Sequence, residues 1–487
     1  MSRRFTPSCV VVFSFAALAA ASRPAEPSKP AGARAADPVP SCARRAWAVT
    51  SLVLDNDVDP PTRQEMLLAG IKGLLAAAEV APPAGLSRRV SALTTEQEFT
   101  AFLRDLWPKS ATPPTELETA LLGGLLQPVP GSPALLSAED RERMDQLSHN
   151  RYVGTGIQLR MSAKEGLAQV VVAFPGGPAR RAGVRPDDLI LEVDHVSVRG
   201  ASMSQVVDRL RGPEGRPVSM LLRQPGATET RLVQMTRALV PFETVIGFRH
   251  NPDETWQWRP DPAVPVAYVR ITSVTPSCLH ELRKIEARLR AEDDRALVLD
   301  LRFSGGDDVH SAALVADGLL DAGVLWRVRD ARHHVKEYRA DPDCLFRGWP
   351  LVVVVNPRLR VTPQTNALAP QLIAAALQDN GRAAVVGEPT AGDGYVATFV
   401  PLPDDQGAVW LRTGMVERAG RRAAPGWGVQ PDHTVKLTTK QDRNLRVWLA
   451  EQARSRPSAA KAPEDPQLDK ALELLRAALK KAKKPGN

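Results

Sequence analysis

The sequence predicts a multidomain α+β protein: an N-terminal helical region, a small β-barrel-like sheet with helices, and a layered α/β core with a mixed sheet. Three observations lead to this fold class. Apolar residues recur at helical spacing through residues 42–150, short strands with glycine turns fill residues 151–238, and strands alternate with helices through residues 241–450. A chain of 487 residues with 43% hydrophobic content is long enough to bury several such cores.

The first 22 residues have the pattern of a secretory signal peptide. A doubly basic start precedes an apolar run that ends in small residues at Ala21 and Ser22. The run is shorter than the roughly 20 residues that a membrane span needs, so we expect cleavage and no integral membrane span afterwards. This predicts export to the periplasm or cell envelope, with the extracellular space as an alternative. Residues 23–41, rich in proline and alanine, are predicted to form a flexible linker.

Residues 42–150 contain two similar phrases, at 66–75 and 117–126, each with apolar positions at helical spacing. We interpret both as packing helices of the N-terminal region. The chain has 63 Lys and Arg residues against 55 Asp and Glu residues. The basic residues are scattered along the chain and do not form a basic stripe with aromatic residues. No nucleic-acid partner is therefore predicted.

The cysteines and histidines do not form a recognisable metal or disulfide framework. Cys9 lies in the predicted signal peptide, which leaves Cys42, Cys278 and Cys344, and a Cys278–Cys344 bridge is permitted in an oxidising compartment but not required by the spacing. His333 and His334 are adjacent, so on a strand their side chains point in different directions. We predict no metal and no other cofactor.

Residues 151–238 read as strands around two glycines, a short helix, a turn and a strand at 176–195, a serine-capped helix at 202–212, and two more alternating strands. The phrase Gly-Pro-Ala followed by Ala-Gly-Val-Arg-Pro-Asp-Asp-Leu-Ile-Leu-Glu-Val-Asp closely resembles a PDZ domain of the bacterial, circularly permuted kind. The resemblance implies that a peptide or protein C-terminus binds here by adding a strand to a sheet edge.

The resemblance also implies which residues receive the terminal carboxylate of that peptide: the loop Val153, Gly154, Thr155, Gly156 and Ile157, through its backbone N–H groups. Glycine suits this position because the backbone can bend toward the anion without a side chain in the way. The alternative is a glycine turn that only closes the domain.

Beyond residue 241, strands at 266–271, 296–302 and 351–355 alternate with helices at 278–290 and 309–320, which favours a layered α/β core with a partly parallel sheet. Residues 455–487 are predicted to be a linker followed by a basic C-terminal helix. An apolar stripe on that helix indicates that it packs against the protein; its members are Leu468, Ala471, Leu472, Leu475 and Leu479.

Several phrases of this core resemble the carboxyl-terminal processing peptidases, also called tail-specific proteases, over roughly residues 150–436. They lie at 268–271, 297–306, 351–356, 374–392 and 426–432. Members of that family place a PDZ domain before such a core. The resemblance implies a serine peptidase in which a lysine amine takes the proton of the serine hydroxyl, with a glutamine supporting the lysine.

Carried over residue by residue, the serine position of the family falls on Leu368, the lysine position on Asp393 and the glutamine position on Ala397. Leucine has no nucleophilic atom, and Asp393 has no hydroxyl at the partner position to activate. No serine occurs between Ser311 and Ser455, and no lysine occurs between Lys336 and Lys436, so a shift of the alignment does not restore the pair.

Two further sets of residues belong to this comparison. Thr362 or Thr365 is a possible substitute nucleophile, although threonines at turns and helix starts usually cap helices. Gly305 and Gly306 match the family's glycines that supply backbone N–H groups to the reacting carbonyl oxygen. The alternative for these glycines is a tight turn that the fold requires.

We therefore predict an exported, PDZ-containing homologue of tail-specific peptidases that has lost the serine–lysine dyad and binds C-terminal peptide segments. One alternative is an active endopeptidase that uses Thr362 or Thr365 with Asp393. A second is a structural envelope scaffold whose PDZ unit is a packing module.

Overall fold

The protein is described here by a computed structural model. The described residues are 37–141, 152–174, 176–240, 243–251, 255–357, 367–419, 428–452 and 461–482. The predicted signal peptide and the two threonines Thr362 and Thr365 lie outside these ranges. The described part confirms the multidomain α+β class.

The N-terminal region begins with five helices: α1 (Val39–Asn56), α2 (Arg63–Ala77), α3 (Leu86–Ser91), α4 (Glu96–Leu106) and α5 (Pro114–Leu126). Helix α1 starts inside the stretch that we predicted to be a linker, because Pro40 is well tolerated in the first turn of a helix. The two similar phrases form α2 and α5, which pack closely. A Cβ atom added at Gly124 would lie 2.9 Å from the Gly70 Cα, so small residues set this approach.

The N-terminal region is not purely helical, which corrects our prediction. A short strand, β1 (Ala134–Leu136), pairs antiparallel with β20 (Ala408–Arg418), far along the chain. Strand β20 also pairs with β19 (Tyr395–Pro401) and β15 (Val324–Asp330), and β15 pairs with β16 (Val335–Arg339). This antiparallel sheet joins the helical region to the rest of the chain.

The PDZ-like region is built on one antiparallel sheet. The main strands are β3 (Ile157–Met161), β4 (Ala168–Ala173), β5 (Leu189–Val193), β7 (Pro217–Arg223) and β8 (Thr230–Thr236), in that order, with β6 (Val196–Ser197) beside β5. Two helices, α6 (Pro178–Arg181) and α7 (Met203–Leu210), complete it. Outside this sheet, β2 (Tyr152–Gly154) pairs with β9 (Ala238–Val240).

The α/β core contains a second mixed sheet. Its strands, in order, are β10 (Val245–Ile246), β13 (Val266–Ile271), β14 (Ala296–Asp300), β17 (Leu351–Val355), β18 (Ala384–Gly387) and β21 (His433–Thr434). Only β10 runs antiparallel to its neighbour. A small antiparallel hairpin, β11 (Arg249–His250) and β12 (Trp256–Gln257), lies between β10 and β13 in the chain. Strands β13, β14 and β17 are buried throughout, as expected for parallel strands covered on both faces.

Helices cover both faces of this sheet. On one face lie α8 (Cys278–Ala291), α9 (Val309–Asp317) and α10 (Leu368–Asp379), which connect successive parallel strands. On the other face lie α11 (Thr439–Gln452) and α12 (Pro466–Ala482). Helix α12 buries Leu468, Ala471, Leu472 and Leu475, four of the five positions of the predicted stripe. Within the described ranges, we found neither a helix fit to cross a bilayer nor a cluster of three potential metal ligands.

Candidate functional site

The candidate site lies where β14, β17 and β18 end and α10 begins. After β14 the chain makes a tight turn, Phe303–Gly306, in which Phe303 has a φ of 55° and Gly306 a φ of 110°. A Cβ atom at position 306 would lie 2.7 Å from the Val274 carbonyl oxygen. Glycine is therefore required there both by the backbone conformation and by space.

Backbone hydrogen bonds close this turn against its neighbours. The Gly305 N–H donates to the Thr272 carbonyl at 3.0 Å, and the Val274 N–H donates to the Gly305 carbonyl at 2.9 Å. The Ala369 N–H, in the first turn of α10, donates to the Gly306 carbonyl at 3.1 Å. In this conformation the N–H of Gly305 is already engaged and does not point to a ligand. Gly305 and Gly306 thus act as a structural turn here.

Leu368, at the position of the family's serine, is the first residue of α10 and is only 3% exposed. It belongs to the main apolar cluster of the α/β core, together with Val355 and Val396. A core side chain therefore occupies the position to which our residue-by-residue comparison assigned the family's serine.

Asp393 and Ala397, to which our comparison assigned the lysine and the glutamine, follow β18 in the chain. Asp393 is exposed, and its carboxylate accepts a hydrogen bond from the Tyr395 N–H at 3.2 Å, at the start of β19. Ala397 lies within β19 opposite Arg412. Ala397 has no group that accepts a proton, and Leu368 has no hydroxyl for the Asp393 carboxylate to activate. Thr362 and Thr365 lie outside the described residues.

Hydrogen bonds of the Gln371 and Thr390 side chains, which we did not predict from the sequence, connect α10 to the following loops. The Gln371 side chain, 4% exposed, donates to the Ala367 carbonyl at 3.1 Å and accepts from the Thr390 hydroxyl at 3.1 Å. The same hydroxyl accepts from the Val429 N–H at 2.8 Å. The only sequence signal was a polar residue, Gln371, within the apolar run Leu368–Leu377.

Asp307, which we also did not predict as a site residue, directly follows Gly306, the last residue of the glycine turn. It is half-buried, and burial raises the pKa of its carboxyl to about 6. Its neighbour Asp308 has a different role, since its carboxylate accepts from the His310 and Ser311 N–H groups and caps α9.

The cysteines of this domain are free thiols. Cys278 is buried, and its thiol donates to the Ser273 carbonyl, whereas Cys344 is half-buried. Burial raises the pKa of both thiols, so neither is an activated thiolate. The permitted Cys278–Cys344 bridge is not formed in this structure.

The PDZ-like sheet presents the second part of the candidate site. Val153 and Gly154 belong to β2 and pair with Leu239 and Ala238 of β9. Only Thr155 and Gly156 form the loop, and Ile157 begins β3. Of the five predicted residues, the structure thus places three, Val153, Gly154 and Ile157, in strand ladders rather than in the loop.

Backbone hydrogen bonds from neighbouring segments fix the conformation of the Thr155–Gly156 loop. The Ala179 N–H donates to the Thr155 carbonyl at 2.8 Å, and the Phe174 N–H donates to the Gly156 carbonyl at 2.9 Å. Gly156 has a φ of 74°, the left-handed conformation that favours glycine. Because both carbonyls are engaged, the loop has one defined shape at the start of β3.

Strand β3 is an edge strand, since within the described residues it pairs only with β4. Its side chains Ile157 and Leu159 are half-buried against the apolar cluster that contains Val206 of α7. An edge strand beside a helix with apolar residues between them can accept an extended peptide as a further strand.

Comparisons with known proteins agree with this geometry. Residues 265–435 match Peptidase family S41, and residues 169–224 match a PDZ domain. The chain is 27% identical to a carboxy-terminal-processing protease of Bartonella bacilliformis over 74% of this chain and 82% of that protein. It is 32% identical to a chloroplastic C-terminal processing peptidase of Tetradesmus obliquus over 52% of this chain and 54% of that protein.

Among solved structures, the photosystem II D1 C-terminal processing protease is 24% identical, with a TM-score of 0.39 over 77% of this chain and 94% of that chain. The two matched domains occur in the order PDZ, then peptidase core, and the sequence similarity to the processing proteases extends across both. The chain therefore carries a PDZ domain followed by a domain of Peptidase family S41, and over both it is similar to the C-terminal processing peptidases.

Proposed function

We propose that the protein is an exported pseudopeptidase that binds C-terminal segments of proteins through its PDZ domain and does not cut them. The observation that carries this proposal is the buried leucine at position 368, together with a PDZ edge strand, β3, that pairs on one side only among the described residues. Its place of action is the periplasm or cell envelope, on the strength of the apolar N-terminal run.

The absence of peptide-bond cleavage follows from chemistry. The family reaction needs an oxygen that attacks the carbonyl and a neutral amine that takes its proton. Leu368 offers only carbon atoms, and Asp393 is an exposed carboxylate already bound to the Tyr395 N–H. In the turn that would stabilise a developing oxyanion, the Gly305 N–H is already engaged, because it donates to the Thr272 carbonyl.

Peptide binding is supported by the edge of β3 and the loop before it. An added strand would gain main-chain hydrogen bonds along β3, and its side chains would lie near Ile157 and Leu159, which are half-buried against the apolar core of the domain. The Thr155–Gly156 loop lies at the end where a terminal carboxylate would arrive.

Binding is tested by calorimetry with peptide pairs that differ only in a free or amidated C-terminus. We expect Gly156→Ala to weaken binding of the free peptide at least about tenfold, because a Cβ there would lie 3.3 Å from the Gly177 Cα and the Val240 Cγ2. Gly166→Ala is the matched control. Gly166 also has a positive φ, 63°, but space surrounds its Cβ position, and it lies in the β3–β4 turn.

Each outcome of this test is informative. Equal absence of binding to free and amidated peptides contradicts the proposal and favours the structural scaffold. Equal weakening by both substitutions would place the recognition outside the Thr155–Gly156 loop.

Catalysis is tested separately by incubating the purified chain with an unfolded protein and following fragments by mass spectrometry. We expect no cleavage. Cleavage that is lost in Thr362→Ala or Thr365→Ala would overturn the pseudopeptidase proposal in favour of an active endopeptidase.

Restoring the missing side chains is expected not to restore the reaction. In the double variant Leu368→Ser and Asp393→Lys, the Gly305 N–H still donates to Thr272 and the Ala369 N–H still donates to Gly306, so neither of these two groups is free to stabilise a developing oxyanion. We expect fragment formation at the background level of Leu368→Ser alone, measured by the same assay. Efficient cleavage by the double variant would show that side chains were the only loss.

A further inference from the structure

A buried ion-pair network connects the C-terminal segment to the glycine turn. Arg302, which directly precedes the turn, has no exposed surface. Its guanidinium donates to both oxygens of Asp300, with the shortest contact at 2.7 Å, and to both oxygens of Asp465 at 2.8 Å. A fifth acceptor, the Gln467 side-chain oxygen, lies at 3.1 Å. All five N–H donors of the guanidinium therefore have acceptors.

Asp465 lies in the stretch that composition alone assigns to a linker, yet it is buried and has two roles. Besides binding Arg302, its carboxylate accepts from the Leu468 N–H at 3.1 Å and so caps α12. The neighbouring Gln467 side chain donates to the Val435 carbonyl at 2.8 Å. The first turn of α12 is thus built around the Arg302 side chain.

Arg302 is equally fixed on its own side. Its backbone N–H donates to Asp300 at 2.8 Å, and Asp300 also accepts from the Tyr268 hydroxyl at 2.6 Å. The next residue, Phe303, has a left-handed backbone and donates its N–H to the Asn356 side chain at 3.2 Å. A non-glycine residue in this conformation persists only where its surroundings hold it.

We propose that Asp465 is a positioning residue: by pairing with Arg302, it makes the shape of the Phe303–Gly306 turn depend on docking of helix α12. When α12 leaves, three N–H donors of Arg302 lose their acceptors on Asp465 and Gln467. The left-handed Phe303 loses part of the apolar cluster against which it packs, which includes Leu468 and Leu472 of α12. The turn then relaxes and releases the Gly305 and Ala369 N–H groups from Thr272 and Gly306. This inference concerns the peptidase-like core and does not depend on peptide binding by the PDZ domain.

Hydrogen–deuterium exchange of the full chain tests the proposal, with fragments that contain the Val274, Gly305 and Ala369 amides as reporters. We expect Asp465→Asn to speed their exchange by about tenfold, because a charge-assisted pair is replaced by a weaker neutral one. Asp469→Asn is the matched control, since Asp469 lies one helical turn further along α12 and is exposed. It should leave all three reporters unchanged.

The result must separate positioning from loss of stability. Exchange of strands β17 and β18 should rise much less than that of the turn, and Asp465→Glu should recover part of the protection because it restores the charge. Gln467→Met, which removes a single acceptor from Arg302, should give a smaller effect in the same direction. Equal acceleration throughout the sheet, or acceleration confined to 466–482 with unchanged reporters, would overturn the proposal.

Discussion

Replacing Arg302 with methionine is expected to lower the free energy of unfolding of the α/β core by about 3–5 kcal/mol, because it leaves the Asp300 and Asp465 carboxylates buried without their cation. The side chains of Arg302 and Asp300 are 1% and 0% exposed, so water cannot take the place of the guanidinium. Calorimetric unfolding at neutral pH measures the loss.

The control for this substitution is Arg295→Met. Arg295 also pairs with an aspartate, Asp293, at 2.7 Å, but the two side chains are 61% and 78% exposed. Exposed pairs contribute about 0–1 kcal/mol, so this variant should unfold almost as the wild type does. Similar losses in both variants would mean that burial of the Arg302 network does not decide its contribution.

The central sheet shows how far local pattern determines structure. The run Leu351–Val355 is continuous and apolar, which predicts a strand covered on both faces, and every residue of it is buried. The same holds for β14, Ala296–Asp300. In both segments one short stretch of sequence contains all the information that the prediction needs.

Long-range pairing left no such local signal. Strand β1 has three residues, and its partners on β20 lie beyond residue 407, so nothing near Ala134 indicates a strand that joins another domain. Asp465 is a similar case. Its stretch of sequence is rich in proline and charge, which predicts a linker. The Asp465 carboxylate is a buried partner only because the fold places Arg302 next to it.

At the candidate site, sequence and structure answer different questions. That leucine cannot attack a carbonyl follows from the identity of residue 368 alone. Whether the Gly305 N–H is free depends on the Thr272 carbonyl, which follows β13 and accepts a hydrogen bond from it. The hydrogen bond from Thr390 to Gln371 likewise becomes visible only when α10 and the loop after β18 are placed together.

Replacing Asp307 with asparagine is expected to stabilise the core at pH 8 by about 2–3 kcal/mol and to change it little at pH 4. Burial is the main reason that the pKa of Asp307 rises from 3.8 to about 6 in the folded protein, and the nearby Asp308 raises it as well. A raised pKa means that the fold favours the protonated carboxyl. The stability that this group contributes is fully present below about pH 4 and is lost as the pH rises through about 6.

Asparagine resembles the protonated carboxyl in size and never ionises, so it removes the loss that the wild type suffers between pH 4 and pH 6. Calorimetry at pH 4, 6 and 8 should show a gain that grows across this interval and then levels off. The neighbouring carboxylate gives the opposite sign: Asp308→Ala removes the cap of α9 and should lose about 1–2 kcal/mol at pH 8. A gain from Asp307→Asn that is the same at pH 4 and pH 8 would contradict the argument, because only an ionising group makes the difference depend on pH.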